Sequence, residues 1–187
     1  MTRRHATAAM PAIAAIMATG SIALFWPGIA TYDTVTQFRQ VLSGQYDDWH
    51  PPAMARLWAL LHPLAPGAAP MLVAQMLAYW AGAGLIAAAL VAVRRPRAGA
   101  AALAVAALPL FLGWQAVVVK DAQMAGAMTG AVGVIAWWRL RDRPVPLAAI
   151  AVAGVLFAYA ALVRANAVFA IAPLIATLAP MRAVGRR

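Results

Sequence analysis

The feature that most constrains this sequence is a succession of six apolar stretches separated by short polar or charged segments. A helix of about 20 apolar residues crosses the hydrocarbon core of a bilayer, so 187 residues leave room for about six crossings. With 65% hydrophobic residues and a mean hydropathy of +0.78, the composition excludes a soluble globular domain. We therefore predict a single-domain, all-α integral membrane protein whose transmembrane helices cover residues 8–25, 71–93, 98–118, 122–138, 147–163 and 167–181.

The basic residues predict which loops face the cytoplasm. Most of the 15 Lys and Arg residues fall in one alternating set of connections, whereas the opposite set holds only Arg39, Arg56, Lys120 and Arg164. Because Lys and Arg collect in cytoplasmic loops, both termini are predicted to be cytoplasmic and residues 26–52 to form an external loop. The same clustering explains the net charge of +10 without nucleic acid. A cleavable signal peptide is the alternative interpretation of the first stretch.

The scarce acidic residues collect in the predicted external loop. The sequence has five carboxylates, and three of them lie between residues 26 and 52. Asp33 follows the first stretch closely, and an ionised carboxylate near the bilayer is costly unless it has a partner, which makes it a candidate functional residue. The alternative is structural, since Asp33 or Thr34 would cap a helix that ends at Gly44.

A second polar cluster closes the same loop. Asp47, Asp48 and His50 supply two carboxylates and an imidazole, groups that bind a hard divalent cation or transfer a proton. A solvated turn ahead of two consecutive prolines would have the same composition, so both interpretations stay open. After the prolines, apolar residues at helical spacing over residues 53–64 predict a short helix on the outer membrane surface.

The other external connections also carry polar residues. Lys120 and Asp121 lie at the head of the fourth stretch, and Arg164 and Asn166 lie between the fifth and sixth. Together with the first loop they could line one outward-facing cavity, in which Lys120 and Arg164 would bind a phosphate. Taken singly, each has a simpler explanation: the two cations would reach toward lipid headgroups, and Lys120 would pair with Asp121.

The fourth stretch carries a packing pattern. Gly126, Gly130 and Gly133 recur at the spacing of one helix face. Small residues on such a face let two helix backbones approach closely in a membrane. We therefore predict a close helix contact at these glycines rather than a functional site.

A family resemblance connects the polar residues. The segments Trp26-Pro27-Gly28, Tyr32-Asp33-Thr34 and Asp48-Trp49-His50-Pro51 resemble the first external loop of bacterial GT-C type (family 39-like) glycosyltransferases, which take sugars from polyprenyl phosphates. Lys120-Asp121 and Arg164-Ala165-Asn166 resemble further positions of the same group. Its members usually have more spans, so the similarity concerns their N-terminal part. This chain would then be a fragment, a minimal relative or one half of an assembly.

The resemblance implies a multi-pass glycosyltransferase of the bacterial inner membrane that uses a polyprenyl-phosphate sugar on the external face. Asp33 would be the general base for the acceptor hydroxyl, while Lys120 and Arg164 would stabilise the leaving phosphate. The expected partners are the bilayer, the lipid-linked sugar and other subunits of a homo- or hetero-oligomer. Whether the reaction uses a divalent cation as cofactor stays open. The remaining candidates would bind substrate: Asp47, Asp48, His50, Asp121 and Asn166.

Two other function classes stay open. A small transporter or non-catalytic membrane subunit would use the polar turns to bind a partner or to line a path, and a degenerate remnant would have no activity. A transporter is expected to carry charged residues deep within its spans, near broken helices. The charged residues of this sequence fall at the predicted helix ends, which favours a reaction on a lipid-linked substrate at one surface.

Overall fold

The computed structural model describes residues 3–47 and 49–178. In this part of the chain all regular secondary structure is helical, which confirms the predicted all-α class. A short 3-10 turn covers His62–Leu64. The α-helices, in chain order, are α1 (Arg3–Phe25), α2 (Tyr32–Ser43), α3 (Pro52–Leu61), α4 (Ala69–Ala92), α5 (Pro96–Ala106), α6 (Pro109–Ala116), α7 (Lys120–Arg139), α8 (Leu147–Val163) and α9 (Ala167–Leu178).

Contacts between the long helices show the direction in which each one runs. Ser21 of α1 lies beside Trp80 of α4, and Ala14 lies beside Gly84, so α1 and α4 are antiparallel. The α4–α5 and α7–α8 pairs are antiparallel in the same way. In contrast, α7 runs parallel to α4, because α5 and α6 return the chain between them.

The two ends of this bundle differ in composition. The first end, here named the loop end, contains Phe25, Ala69 and Lys120 and carries α2 and α3. The other end, here named the arginine end, lies at the C-termini of α4 and α7, near Ala92 and Arg139. The loop end therefore contains those predicted site residues that the structure describes: Asp33, Asp47, His50, Lys120, Asp121, Arg164 and Asn166. The described arginines at or next to the arginine end are Arg3, Arg4, Arg94, Arg95, Arg97, Arg139, Arg141 and Arg143.

The closest helix contact lies between α4 and α7. A Cβ atom added to Gly82 would lie 2.2 Å from the carbonyl oxygen of Thr129. One added to Gly133 would lie 2.5 Å from the Cα atom of Gly82. Added Cβ atoms at Gly126 and Gly130 would likewise meet the α4 backbone. Only glycine permits helices to approach this closely, so the predicted packing role of these residues is confirmed.

Fewer helices than predicted have the length and hydropathy of a full membrane span. Two described helices pass that test, α1 over His5–Phe25 and α4 over Ala69–Ala92. A third crossing results if α5 and α6, which are bent by 49°, form one broken span. α8 is apolar but has only 17 residues. α7 has 20 residues, but its terminal charges and internal glutamine and glycines reduce its hydropathy. Residues 179–181 of the predicted sixth span lie outside the described part.

The predicted external loop contains a helix, because residues 32–43 form α2. Thr31 and Thr34 form a capping box at its start, which satisfies backbone N–H groups of the first turn. Gly44 ends it in the left-handed conformation at φ 68°, with its N–H bonded to the carbonyl of Gln40 (2.9 Å). The N-cap residue is thus Thr31 rather than Asp33 or Thr34. Thr34 contributes the other half of the capping box, and Asp33 makes no capping hydrogen bond within the described residues.

The helix predicted over residues 53–64 corresponds to α3 and the 3-10 turn that follows it. α3 begins at Pro52, where a missing N–H costs nothing. Met54, Ala55 and Trp58 are buried, and α3 contacts α2, α4 and α8. One face of α3 is therefore packed against protein, so α3 is part of the fold of the loop end.

Candidate functional site

The loop end is held together by a short backbone pairing. The N–H of Ile29 donates to the carbonyl of Ala116 (2.9 Å), and the N–H of Val118 donates to the carbonyl of Ile29 (3.0 Å). The hydroxyl of Thr34 donates to the carbonyl of Val118 (2.7 Å). The segment between α6 and α7 is thereby fixed to the start of α2. Lys120, two residues further on, begins α7 at a defined place.

A buried glutamine network supports this segment from within the bundle. The side-chain amide of Gln75 donates to the carbonyls of Gln115 and Val117, the latter at 3.0 Å. The amide of Gln123 donates to Oε1 of Gln75 (2.8 Å), and the Tyr159 hydroxyl donates to Oε1 of Gln123 (3.2 Å). The sequence analysis did not identify these residues. A signal was present, because an unpaired buried amide is costly and a glutamine in an apolar stretch therefore indicates a hydrogen-bond partner.

Asp121 and Arg164 form a two-point ion pair. Nε of Arg164 lies 2.8 Å from Oδ1 of Asp121, and Nη1 donates to Oδ2 at 2.9 Å. Nε also donates to Oδ1 of Asn166 (3.1 Å). The pair joins the N-terminus of α7 to the C-terminus of α8. The alternative in which Asp121 pairs with Lys120 is wrong, because the Asp121 carboxylate is engaged by Arg164.

Lys120 has a different partner. Its Nζ atom lies 3.2 Å from Nδ1 of His50, across 70 positions of sequence. The His50 side chain is buried, with 1% of its surface exposed. His50 was predicted to bind substrate. Because its ring is buried, its link to the pocket is the contact with Lys120, which lines the pocket.

Asp47 organises the turn that carries His50. Its Oδ1 atom accepts hydrogen bonds from the backbone N–H groups of Trp49 (3.1 Å) and His50 (3.3 Å). The hydrogen bond from His50 is the main reason that the pKa of Asp47 lies below its ordinary value of 3.8. This geometry matches the solvated-turn interpretation. Asp48 lies outside the described residues.

No group of three carboxylate, imidazole or thiol side chains suited to a metal ion occurs within residues 3–47 and 49–178. Asp47 directs its carboxylate to backbone N–H groups, and His50 is engaged by Lys120. The metal hypothesis for these residues and Asp48 therefore stays a prediction from sequence.

These elements surround an open pocket of about 240 Å³ at the loop end. Three of the predicted site residues, Lys120, Arg164 and Asn166, meet in it although they come from different helices and turns. Two cationic groups and an amide can hold a phosphate through charge-assisted hydrogen bonds. The complete lining is Pro51, Lys120, Val163, Arg164, Ala165 and Asn166.

Asp33 lies at the same end of the bundle but not in the lining of this pocket. It is half-buried in the first turn of α2, where a negative charge is favoured by the helix dipole. Its carboxylate makes no hydrogen bond or ion pair within the described residues. Its neighbour Thr34 contacts Val118, two residues before Lys120. Asp33 thus has no side-chain partner within the described residues, and the contact of Thr34 with Val118 links its backbone to the segment that leads to Lys120.

Comparison with known proteins adds no family to this description. No protein-family model, curated protein or solved structure matches this chain. The similarity of its loop motifs to GT-C type glycosyltransferases therefore stays a prediction. The function is inferred from the pocket and the residues around it.

Proposed function

We propose that this chain is a membrane protein that binds a polyprenyl-phosphate-linked sugar at the loop end and transfers the sugar in the manner of GT-C type glycosyltransferases. The pocket where Lys120, Arg164 and Asn166 meet carries the proposal, because its donors suit the phosphate of such a lipid. Arg164 places two of its five N–H donors on Asp121, so its remaining donors and the point charge of Lys120 would orient the phosphate and stabilise charge on it.

The proposed membrane arrangement has six crossings, with both termini cytoplasmic and the loop end external, in a bacterial inner membrane. The alternating helix directions and the collection of arginines at one end support it. The 17 residues of α8 extend about 26 Å and fit if the helix tilts little and the bilayer thins around it. The 12 described residues of α9 extend about 18 Å and account for only part of a crossing. Exposed aromatic side chains at the loop end suit a membrane–water interface: Trp26, Tyr32, Trp49 and Trp114.

In the proposed reaction, the Asp33 carboxylate removes the proton from an acceptor hydroxyl. The hydroxyl oxygen forms a bond to the anomeric carbon of the sugar, and the bond from that carbon to the phosphate oxygen breaks. The lipid phosphate leaves with the bonding electron pair. Lys120 and Arg164 would stabilise the negative charge that develops on the phosphate.

The test is sugar transfer in proteoliposomes that contain polyprenyl-phosphate hexoses or pentoses. Asp33→Asn should reduce transfer by a factor of about 10² to 10⁴, the contribution of a positioned general base. Asp142→Asn is the matched control, because it makes the same change next to the arginine end and should retain activity. Unchanged transfer by the Asp33→Asn protein would exclude Asp33 as the base.

The six-crossing arrangement has its own test, because the natural sequence contains no cysteine. Single cysteines at Gln45 and Ala98, both exposed, would lie next to the loop end and the arginine end. A membrane-impermeant thiol reagent should label Gln45→Cys from outside and Ala98→Cys only from the cytoplasmic side. Labelling of both from one side would contradict the proposed arrangement.

A second candidate function is a non-catalytic membrane subunit that binds a phosphorylated lipid. The observation that favours it is the position of Asp33, which does not line the pocket. Such a protein would bind polyprenyl phosphate without turnover, and Asp33→Asn would leave that affinity unchanged. The transferase proposal requires turnover that depends on Asp33.

A further inference from the structure

We infer that His50 is a positioning residue that holds the Lys120 ammonium at the pocket. The inference deepens the proposed function and rests on it for the role of the pocket, but the contact itself can be tested separately. Three observations support the inference. They are the donor–acceptor chemistry of the pair, the contacts that hold His50 without Lys120, and the lack of a carboxylate partner for Lys120 within the described residues.

The chemistry of the pair defines which atom donates. An ammonium group has three N–H donors and no acceptor, so Nδ1 of His50 accepts the hydrogen bond from Lys120 at 3.2 Å. The imidazole is then neutral and carries its proton on Nε2. That atom is buried and has no hydrogen-bond partner among the residues that the structure describes. The His50 ring is therefore placed so that its accepting nitrogen meets the lysine, at the cost of an unpaired donor on the other side.

The backbone that carries the His50 ring is held by contacts that do not involve Lys120. The backbone N–H of His50 is bonded to Asp47, and Pro51 and Pro52 restrict the chain directly after it. His50 is 1% exposed, whereas Lys120 is half-buried on a long, flexible side chain. A fixed acceptor and a flexible donor mean that the histidine determines the position of the lysine, and not the reverse.

Lys120 is the only lysine of the sequence, and the other basic residues are all arginine. In the pocket, the charge of Arg164 is offset by its two-point pair with Asp121. No carboxylate contacts Lys120 within the described residues. The uncompensated positive charge of the pocket therefore lies on Lys120, and its position decides where an anion binds.

The first test measures the reactivity of Lys120 toward an amine-reactive acetylating reagent in detergent-solubilised protein. Because the chain has one lysine, mass spectrometry of the peptide around residue 120 reports a single side chain. His50→Leu should release the amine and raise its labelling rate several-fold. His50→Asn, which retains an acceptor oxygen near the position of Nδ1, should label at the wild-type rate.

His62→Leu is the matched control for this measurement. His62 lies at the other end of α3 and packs edge-on against Phe38. It also has a buried ring nitrogen that no described residue pairs with. Its substitution should leave the labelling rate of Lys120 unchanged. The inference is overturned if His50→Leu leaves the rate unchanged, or if His62→Leu raises it as much.

The second test measures the affinity for farnesyl phosphate in phosphatidylcholine nanodiscs. His50→Leu should weaken binding about tenfold, the value expected for losing a hydrogen bond to a charged group, and His50→Asn should restore most of it. In a Lys120→Gln background, His50→Leu should cause no further loss. Equal losses in both backgrounds would overturn the inference. If the wild-type protein does not bind farnesyl phosphate, the proposed function fails, while the labelling result still decides the role of His50.

Discussion

Replacement of Gly82 by alanine should destabilise this protein, because the contact between α4 and α7 has no room for a methyl group. The added Cβ atom would lie 2.2 Å from the carbonyl oxygen and 2.4 Å from the carbonyl carbon of Thr129, whereas ordinary contact begins at 3.4 Å. Since both neighbours are backbone atoms, no side chain can turn away. The helices must separate by about 1.2 Å at this point, and overpacking of this kind costs about 1–3 kcal/mol.

At the size of this chain, and with the scaling of soluble domains, that cost lowers Tm by about 2–12 °C. The assay is thermal unfolding in detergent, followed by near-UV circular dichroism. Gly154→Ala in α8 is the control, because nothing lies within 4 Å of the added atom and alanine favours a helix. Its Tm should be unchanged or slightly higher. Equal Tm values for Gly82→Ala and the wild type would refute the close approach of α4 to α7.

Two further predictions concern the loop end. Gln123→Leu removes the hydrogen bonds donated to Met71 and Gln75, so the free energy of unfolding should fall by about 1–3 kcal/mol and Tm with it. The control Gln45→Leu, at an exposed site, should change Tm little. Because the pKa of Asp47 is lowered, its ionised carboxylate stabilises the turn above pH 3.8. This stabilisation is lost as the pH falls through the lowered pKa. The protection of the residue 49 and 50 amides against exchange, measured relative to the intrinsic rate at each pH, should fall below that pH. It should not fall in Asp47→Asn, which accepts the same bonds without titrating.

Much of the helical framework follows from local sequence. α8 begins and ends at residues 147 and 163, as its apolar run predicts, and Pro109 marks the break between α5 and α6. Gly44 predicts the end of α2 because it adopts the left-handed conformation without strain. These features depend on a few neighbouring residues, and such interactions can be inferred without knowing the fold.

The features that sequence reasoning missed depend on residues far apart in the chain. The contact between His50 and Lys120 joins residues 70 positions apart, so the sequence around His50 does not reveal it. Likewise, Asp121 has an adjacent lysine but pairs with Arg164, since the antiparallel packing of α7 and α8 places their ends together. Hydropathy predicted crossing segments from composition alone, so it could not show which glutamines pair inside the bundle.

The Asp121–Arg164 pair has a consequence for how the protein is made. The partners of the loop end leave the ribosome in a fixed order: His50 first, then Lys120 and Asp121, and Arg164 last. During synthesis Lys120 can meet its histidine as soon as α7 begins to insert. Asp121 must wait for the α8 hairpin before its charge is neutralised. The final hairpin therefore completes the pocket and supplies the cation that pairs with the Asp121 carboxylate.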